Sequence, residues 1–344
     1  MSTADGSRIV GAIRIVIVGG GRIGQVHAHN ILMNGAGLRL TAIVEPFPTE
    51  SLTSLAARAD VPVASALGNW LAEADALIIA LPTDMHEEVL MAAAAAGVHV
   101  LCEKPLAGDL DAARRMIAAA EDAGIVLQVG FNRRFDHNYR ALRAAATNGG
   151  VGRIETVRVT SRDPGPPGID YIRQSGGLFM DMTIHDFDMI RFLTGDEVES
   201  VFARGACLVD EAIGQAGDID TALVTVRFKG GAIGVIENSR RASYGYDQRA
   251  EIHGSRGAAE SRNDTESRVT ISDASGVHDE KPLHFFLERY RESFVAEVQS
   301  FTAAVRDGST PEVTGHDGLE AMRIAAACRR SLESGREVAL SEIQ

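Results

Sequence analysis

From Ile13 the chain runs IRIVIVGG, an apolar stretch stopped by glycines, and Gly19, Gly21 and Gly24 follow in G-x-G-x-x-G spacing before a helical pattern over 22 to 34. An apolar run bounded in this way reads as a parallel strand buried on both faces. The glycine spacing narrows the choice further. The first glycine allows a tight turn, the second admits a phosphate close to the backbone, and the helix start offers unpaired N–H groups at its positive dipole end. The pattern then repeats. Strands at 40–45, 76–82, 98–104 and 125–131 alternate with helices at 52–58, 86–96 and 110–123, the rhythm of a doubly wound sheet.

Past about residue 132 the rhythm changes. A helix at 136–146 leads through NGGVG into a strand at 153–162, and a Pro-rich segment, 163–168, follows. VESVFARGACL, TALVTVRFKGGAIGVIENSR and YDQRAEIHGSRGAAES then read as successive strands joined by Gly-Gly and Gly-Ser turns. A helix beginning near Leu178 backs them, and helices at 285–306 and 317–334 close the chain. The expectation is an α/β protein of two domains. Residues 1–131 form a Rossmann dinucleotide-binding domain, and 132–344 a substrate-binding α+β domain on an open, mainly antiparallel sheet.

With 344 residues, 45% of them hydrophobic, the chain has material for a real core and exceeds the usual single-domain range. Its formal charge of -13 repels phosphate backbones, and no Lys/Arg cluster offsets it, so no nucleic-acid partner is expected. Cys102, Cys207 and Cys328 are too few and scattered for a disulfide framework or a thiolate metal cage. The polar leader MSTADGSRIVGA carries no basic segment, and no apolar run approaches ~20 residues. A soluble, cytoplasmic protein without a membrane partner is the reading.

In the first domain, Gly19, Gly21, Arg22, Ile23 and Gly24 form the expected cofactor turn. Glu45 ends the second strand, somewhat further from Gly19 than the usual ~20 residues but in the equivalent place. A carboxylate there accepts from both adenosine-ribose hydroxyls and repels a 2'-phosphate, and Pro46 to Thr49 offer no arginine, so NAD is favoured over NADP. Pro82 and Thr83 close the third strand on the ligand-binding edge. His86, at the next helix start, either touches cofactor or caps and packs. Glu103 and Lys104 end VHVLCEK on the same edge, followed by Pro105, which restricts the backbone and is compatible with a cis bond.

An ammonium at Lys104 can hold a substrate oxygen as an alcohol becomes a carbonyl. On helical angles Asp181, His185 and Asp188 form one stripe at i, i+4 and i+7, surrounded by apolar residues that make charge costly unless it is paired or used. His185 is suited to accept the hydroxyl proton, Asp181 to orient or electrostatically support that exchange, and the carbon-bound hydrogen leaves as hydride to nicotinamide C4. Asp186 projects elsewhere, as a structural or surface group. The opposing reading of the stripe is a structural buried His-Asp pair. Asp181 and His185 lack partners for a recognisable zinc site, so no metal is expected.

GGGRIGQVHA, LPTDMHEEV, HVLCEKPL, GFNRRFD, SGGLFMDMTIHDFDM and NSRRASYGYDQRAEIHGS occur in this order between Ile15 and about Leu332. They resemble the glucose-fructose oxidoreductase and inositol dehydrogenase family. The resemblance implies a Lys104, Asp181 and His185 catalytic group, NAD as cofactor, and a homotetramer whose C-terminal sheets pack face to face. SRDPGPP, DMTIHDFDM and SRRASYGYDQR look most like members that oxidise the axial hydroxyl of myo-inositol. A cyclic polyol needs donors and acceptors around its rim, for which Arg134, Asp163, Asp188, Tyr244 and Tyr246 stand as candidates beside the catalytic three. Arg134 as a domain bridge and the tyrosines at a subunit interface are the competing readings. Rival functions are oxidation of another inositol isomer or a pyranose, and a non-catalytic NAD sensor. The chain departs from the pattern at Gly20, often alanine, and at Glu45, more commonly aspartate.

Overall fold

The computed structural model describes residues 11–35 and 37–344, so most of the polar leader lies outside the described residues. In chain order the elements are β1 (Ile13–Val18), α1 (Arg22–Asn34), β2 (Leu38–Val44), α2 (Glu50–Ala59), β3 (Val63–Ala64), α3 (Trp70–Glu73), β4 (Ala76–Ile79), α4 (His86–Ala96), β5 (His99–Glu103), α5 (Leu110–Asp122) and β6 (Leu127–Gly130). There follow α6 (His137–Thr147), β7 (Ile154–Arg162), α7 (Ile169–Gln174), α8 (Ile184–Thr194), β8 (Val198–Ala206), α9 (Glu211–Gln215), β9 (Thr221–Phe228), β10 (Ile233–Ser239), β11 (Asp247–Gly254) and β12 (Gly257–Ser261). The small pair β13 (Ile271–Asp273) and β14 (Gly276–His278) precedes α10 (Phe286–Arg289), α11 (Arg291–Asp307), α12 (Gly315–Ser334) and β15 (Val338–Ala339).

Among the described residues, the first unit comprises 11–35, 37–135 and 292–319. Its sheet has six strands in the order β3-β2-β1-β4-β5-β6, all parallel. Ile13, Ile15, Val16, Ile17 and Val18 are all buried, as are the four residues of β4, because helices cover both faces of such a sheet. Local signals set the helix ends. Thr49 and Asp109 cap α2 and α5 by accepting from Leu52 N and Ala112 N, and Gly97 closes α4 in the left-handed region.

A single boundary near 131/132 does not describe this packing, because a later segment returns to the first unit. Val298, Phe301, Ala304 and Val305 of α11 belong to one apolar cluster with Ile13, Ile15, Ile17, Leu52 and Leu101. Val129 N also donates to Val313 O, 3.1 Å away. The apolar face of α11 gave no sign of which sheet it would cover. The helix expected at 285–306 is in fact two, α10 and α11, parted at Tyr290.

The second unit comprises 136–291 and 320–344. Its sheet runs β12-β11-β7-β10-β9-β8-β15, with β10 parallel to β7 and the other pairs antiparallel. Along β9 buried and outward positions alternate, so one face of the sheet is covered. A buried polar network fastens α8 to it: Ser161 donates to Asp186 Oδ1 (2.6 Å), Asn238 to Asp186 Oδ2 (2.7 Å), and Thr183 to Asn238 Oδ1 (2.8 Å). Asp186 thus takes the structural of its two expected roles.

Candidate active site

In the first unit the cofactor residues gather at the carboxyl edge of the parallel sheet. Gly19 has φ +104°, and a Cβ there would stand 2.4 Å from Ala80 O, while one at Gly24 would stand 1.9 Å from Gly19 O. These two glycines let the turn, the helix and the neighbouring strand close up. Gly21 is different. It is exposed, caps α1 without a side-chain hydrogen bond, and an added Cβ would meet nothing within 4 Å among the described residues. An open turn leading to free helical N–H groups fits a pyrophosphate. Arg22 is exposed and Ile23 half-buried beside it.

Glu45 Oε2 accepts from Gly20 N (2.9 Å) and Oε1 from Phe47 N (3.1 Å), so the carboxylate braces the glycine turn. This explains Gly20, since a Cβ at that position would lie 2.3 Å from Leu52 Cδ2 and 2.9 Å from Glu45 Cβ. Leu52 is fully buried and cannot withdraw freely. Gly20→Ala is therefore expected to destabilise the fold by about 1–3 kcal/mol through overpacking. Thermal melts of Gly20→Ala and of Gly20→Ala combined with Leu52→Val check this, the second change restoring part of the loss.

Pro82 is exposed and precedes a single 3-10 turn, Thr83–Met85. His86 packs instead of facing a ligand. It is buried, Nε2 lies 2.9 Å from Leu81 O, and Nδ1 lies 3.1 Å from Pro105 O and 3.3 Å from Leu106 O. The ring clamps the loop after β4 to the loop after β5. Glu103 ends β5 with Oε1 2.8 Å from His27 Nε2. Lys104 follows, half-buried, and the Lys104–Pro105 peptide is cis. Arg134 was expected on a substrate rim, but it is only 8% exposed and donates to Glu312 O (3.2 Å) and Asp317 Oδ1 (2.9 Å). Those bonds tie the turn after β6 to the start of α12 within the same unit.

In the second unit Gly176 and Gly177, both at positive φ, turn the chain into a π-helical turn over Phe179–Thr183 that continues as α8. The expected stripe assumed uniform α-helical winding. His185 and Asp188 keep that relation on α8, but Asp181 sits in the wider π turn and is offset from it. Asp188 is buried and His185 half-buried.

Asp181 is held from two sides. Tyr171 donates its hydroxyl to Oδ1 at 2.7 Å, and both terminal nitrogens of Arg240 reach Oδ2 at 3.2 Å. Arg240 is 1% exposed, and Asp218 lies 3.9 Å from its Nη2 while accepting from Leu178 N (3.1 Å). Sequence reasoning missed Tyr171, Asp218 and Arg240. An arginine directly after an apolar strand was the one available signal, and it does not distinguish a buried partner from a surface cation. Asp163 is half-buried just past β7, its N donating to Ser239 O. Tyr244 is partly exposed, donates to Asp247 Oδ2 (2.7 Å) and accepts from Arg162 (2.6 Å). Tyr246 belongs to the core: it is 6% exposed, with its ring edge-on to Tyr290 and Phe285.

Each unit carries side chains suited to part of an oxidoreductase's chemistry. A half-buried histidine is suited to accept a proton near neutral pH, and the clamped Asp181 offers a fixed negative charge. A lysine at the strand edge supplies a donor for a developing oxyanion.

Residues 13–131 match the oxidoreductase family described as an NAD-binding Rossmann fold, and 139–260 match the GFO/IDH/MocA C-terminal domain. Over 334 residues the chain is 46% identical to the myo-inositol 2-dehydrogenase of Thermotoga maritima, covering 96% of this chain and 99% of that protein. It is 42% identical to the inositol 2-dehydrogenase of Rhizobium meliloti, with 96% and 99% covered. The scyllo-inositol dehydrogenase of Lactobacillus casei, solved with NAD(H) and scyllo-inositol, superposes with a TM-score of 0.89 at 29% identity, with 96% and 99% covered. Two matched domains and two relatives of this identity over nearly the whole length place the chain in the GFO/IDH/MocA family of NAD-dependent oxidoreductases.

Proposed function

We propose that this enzyme oxidises myo-inositol at its axial hydroxyl to 2-keto-myo-inositol, with NAD+ as hydride acceptor. The observation carrying this reading is the near full-length similarity, 46% and 42% identical, to two inositol 2-dehydrogenases. Bound NAD+ supplies the electrophilic nicotinamide C4. Lys104 donates a hydrogen bond to the substrate oxygen and stabilises the charge that grows there. His185 removes the hydroxyl proton, and Asp181, clamped by Tyr171 and Arg240, orients that exchange. Asp163, Asp188 and Tyr244 supply polar groups to the polyol.

Glu45 selects the cofactor. Its carboxylate braces Gly20 and keeps acceptor capacity for ribose hydroxyls, while a 2'-phosphate meets like charge. Glu45→Ala is expected to weaken NAD binding ~10-fold, the worth of one lost charge-assisted hydrogen bond. Its relative use of NADP should rise. Cofactor kinetics equal to the parent's with both nucleotides would remove Glu45 from this role.

The deciding experiment is an NAD-linked screen of inositol stereoisomers and aldoses with product identification. myo-Inositol should give the highest kcat/KM and a 2-keto product. The superposition on the scyllo-inositol enzyme supports a second reading, in which scyllo-inositol is preferred; higher turnover of that isomer would establish it. For the assembly we propose a cytoplasmic homotetramer formed through the outward face of the second sheet, where Leu223 and Ile233 are exposed. The formal charge of -13 favours a small polyol over any nucleic acid as the partner. Among the described residues no helix is long and apolar enough to cross a membrane.

A further inference from the structure

Beside the strand end that precedes Lys104, three ionisable side chains meet in the interior. His27 of α1, Glu103 of β5 and Glu297 of α11 are all buried, with ligand-type atoms within 4.8 Å of one another. Glu103 has found a partner in His27. Glu297 has not: its side chain is 0% exposed, and neither carboxylate oxygen has a hydrogen-bond partner. A bare buried carboxylate beside a second carboxylate is among the costliest arrangements a fold can hold.

A divalent cation is one answer, but the geometry disfavours it. Two ligands of one tetrahedral ion, each at ~2.1 Å, stand ~3.4 Å apart. His27 Nε2 and Glu103 Oε1 are 2.8 Å apart, a direct hydrogen bond. A proton solves the charge problem within the space present. We propose that Glu297 is a neutral carboxylic acid beside the charged Glu103, and that the His27–Glu103–Glu297 cluster positions Lys104 by pinning the end of β5 to the helix of the glycine turn. Burial, reinforced by the Glu103 charge, pushes the Glu297 carboxyl well above the usual range. Glu103 Oε2 lies 2.9 Å from where a Cβ on Gly130 would be, so the carboxylate is also wedged against β6. The positioning role rests on the assignment of Lys104 to the substrate oxygen; the protonation does not.

The sign of the pH effect follows. Above the ordinary glutamate range the folded protein retains a proton that the unfolded chain has released. Stability therefore falls as pH rises towards the folded value, by about tenfold in the folding equilibrium per pH unit for one proton. Glu297→Gln, already neutral and able to donate, should remove this component, and its melting temperature should fall less than the parent's between neutral and alkaline pH. It should also keep kcat within about twofold. Glu297→Leu takes the carboxylic acid out of the cluster and leaves His27 as the partner of Glu103, so its kcat should fall at least tenfold with myo-inositol KM little changed. Rescue by Gln but not by Leu separates positioning from mere packing. A Glu297→Gln melting curve with the parent's pH dependence would overturn the protonation, and parental kcat in folded Glu297→Leu would overturn the positioning. Near-stoichiometric zinc or manganese in the purified parent, lost together with stability on chelation, would replace the proton by a metal. If Glu297→Leu fails to fold, the pH dependence of Glu297→Gln still decides the protonation, and the kcat of folded Glu297→Ala decides the positioning.

Discussion

Lys104→Ala and His185→Ala should each lower kcat steeply, by ~10²–10³ for the lost oxyanion donor and ~10²–10⁴ for the lost base, while NAD affinity changes only a few-fold. Removal of a hydride from a carbinol leaves positive character on the carbon unless the oxygen sheds its proton, so the base and the oxygen's hydrogen-bond partner act on the same charge. Groups that act as a unit are strongly non-additive. The double variant should therefore lose much less than the product of the two single losses. Steady-state kinetics with myo-inositol, together with fluorescence titration of NADH, check both points. Parental turnover in either folded single variant would remove that residue from catalysis, and strictly multiplicative losses would mean that the two act on separate steps.

What the sequence disclosed and what it concealed divide along a physical line. The parallel sheet was legible because β1 and β4 are buried on both faces and β1 is cut by glycines whose spacing has steric causes. The antiparallel half was legible from alternation along β9. Period and punctuation are local properties. The return of 292–319 to the first unit was hidden because an amphipathic helix does not say which core it completes. The π turn was hidden because its residues suit an α-helix equally well; in the structure it follows the turn at Gly176 and Gly177, and Thr183 Oγ1 donates to Leu178 O beside it. At the site, residue type suggested Asp181 and His185. The same logic proposed His86, Arg134 and Tyr246 for ligands and gave no sign of the loop carbonyls, Asp317 and aromatic rings that they also meet. Partners distant in sequence decide such cases, and Arg240 with Asp181 is another.

Arg240→Met should impair both folding and turnover, because Asp181 and Asp218 would lose the buried cation between them. Breaking a buried pair by removing one member costs about 3–5 kcal/mol, since the remaining charge keeps its desolvation penalty without its partner. Arg240 is 1% exposed and reaches Asp181 Oδ2 with both terminal nitrogens, so little solvent screens the loss. Arg240→Lys keeps the charge but not the planar fork. It should fold better than Arg240→Met and still fall ~10-fold or more in kcat, because one ammonium cannot hold Asp181 and face Asp218 in the same geometry. NAD binding, which depends on the glycine turn of the other unit, should persist in both. Urea unfolding of the two variants, set beside Asp181→Asn and the double Arg240→Met, Asp181→Asn, measures the coupling directly. The double variant should be less destabilised than the sum of the singles, since removing the carboxylate's charge relieves most of what the missing guanidinium leaves exposed. Strict additivity would show that Arg240 stabilises the fold through other contacts, and that the orientation of Asp181 does not depend on it.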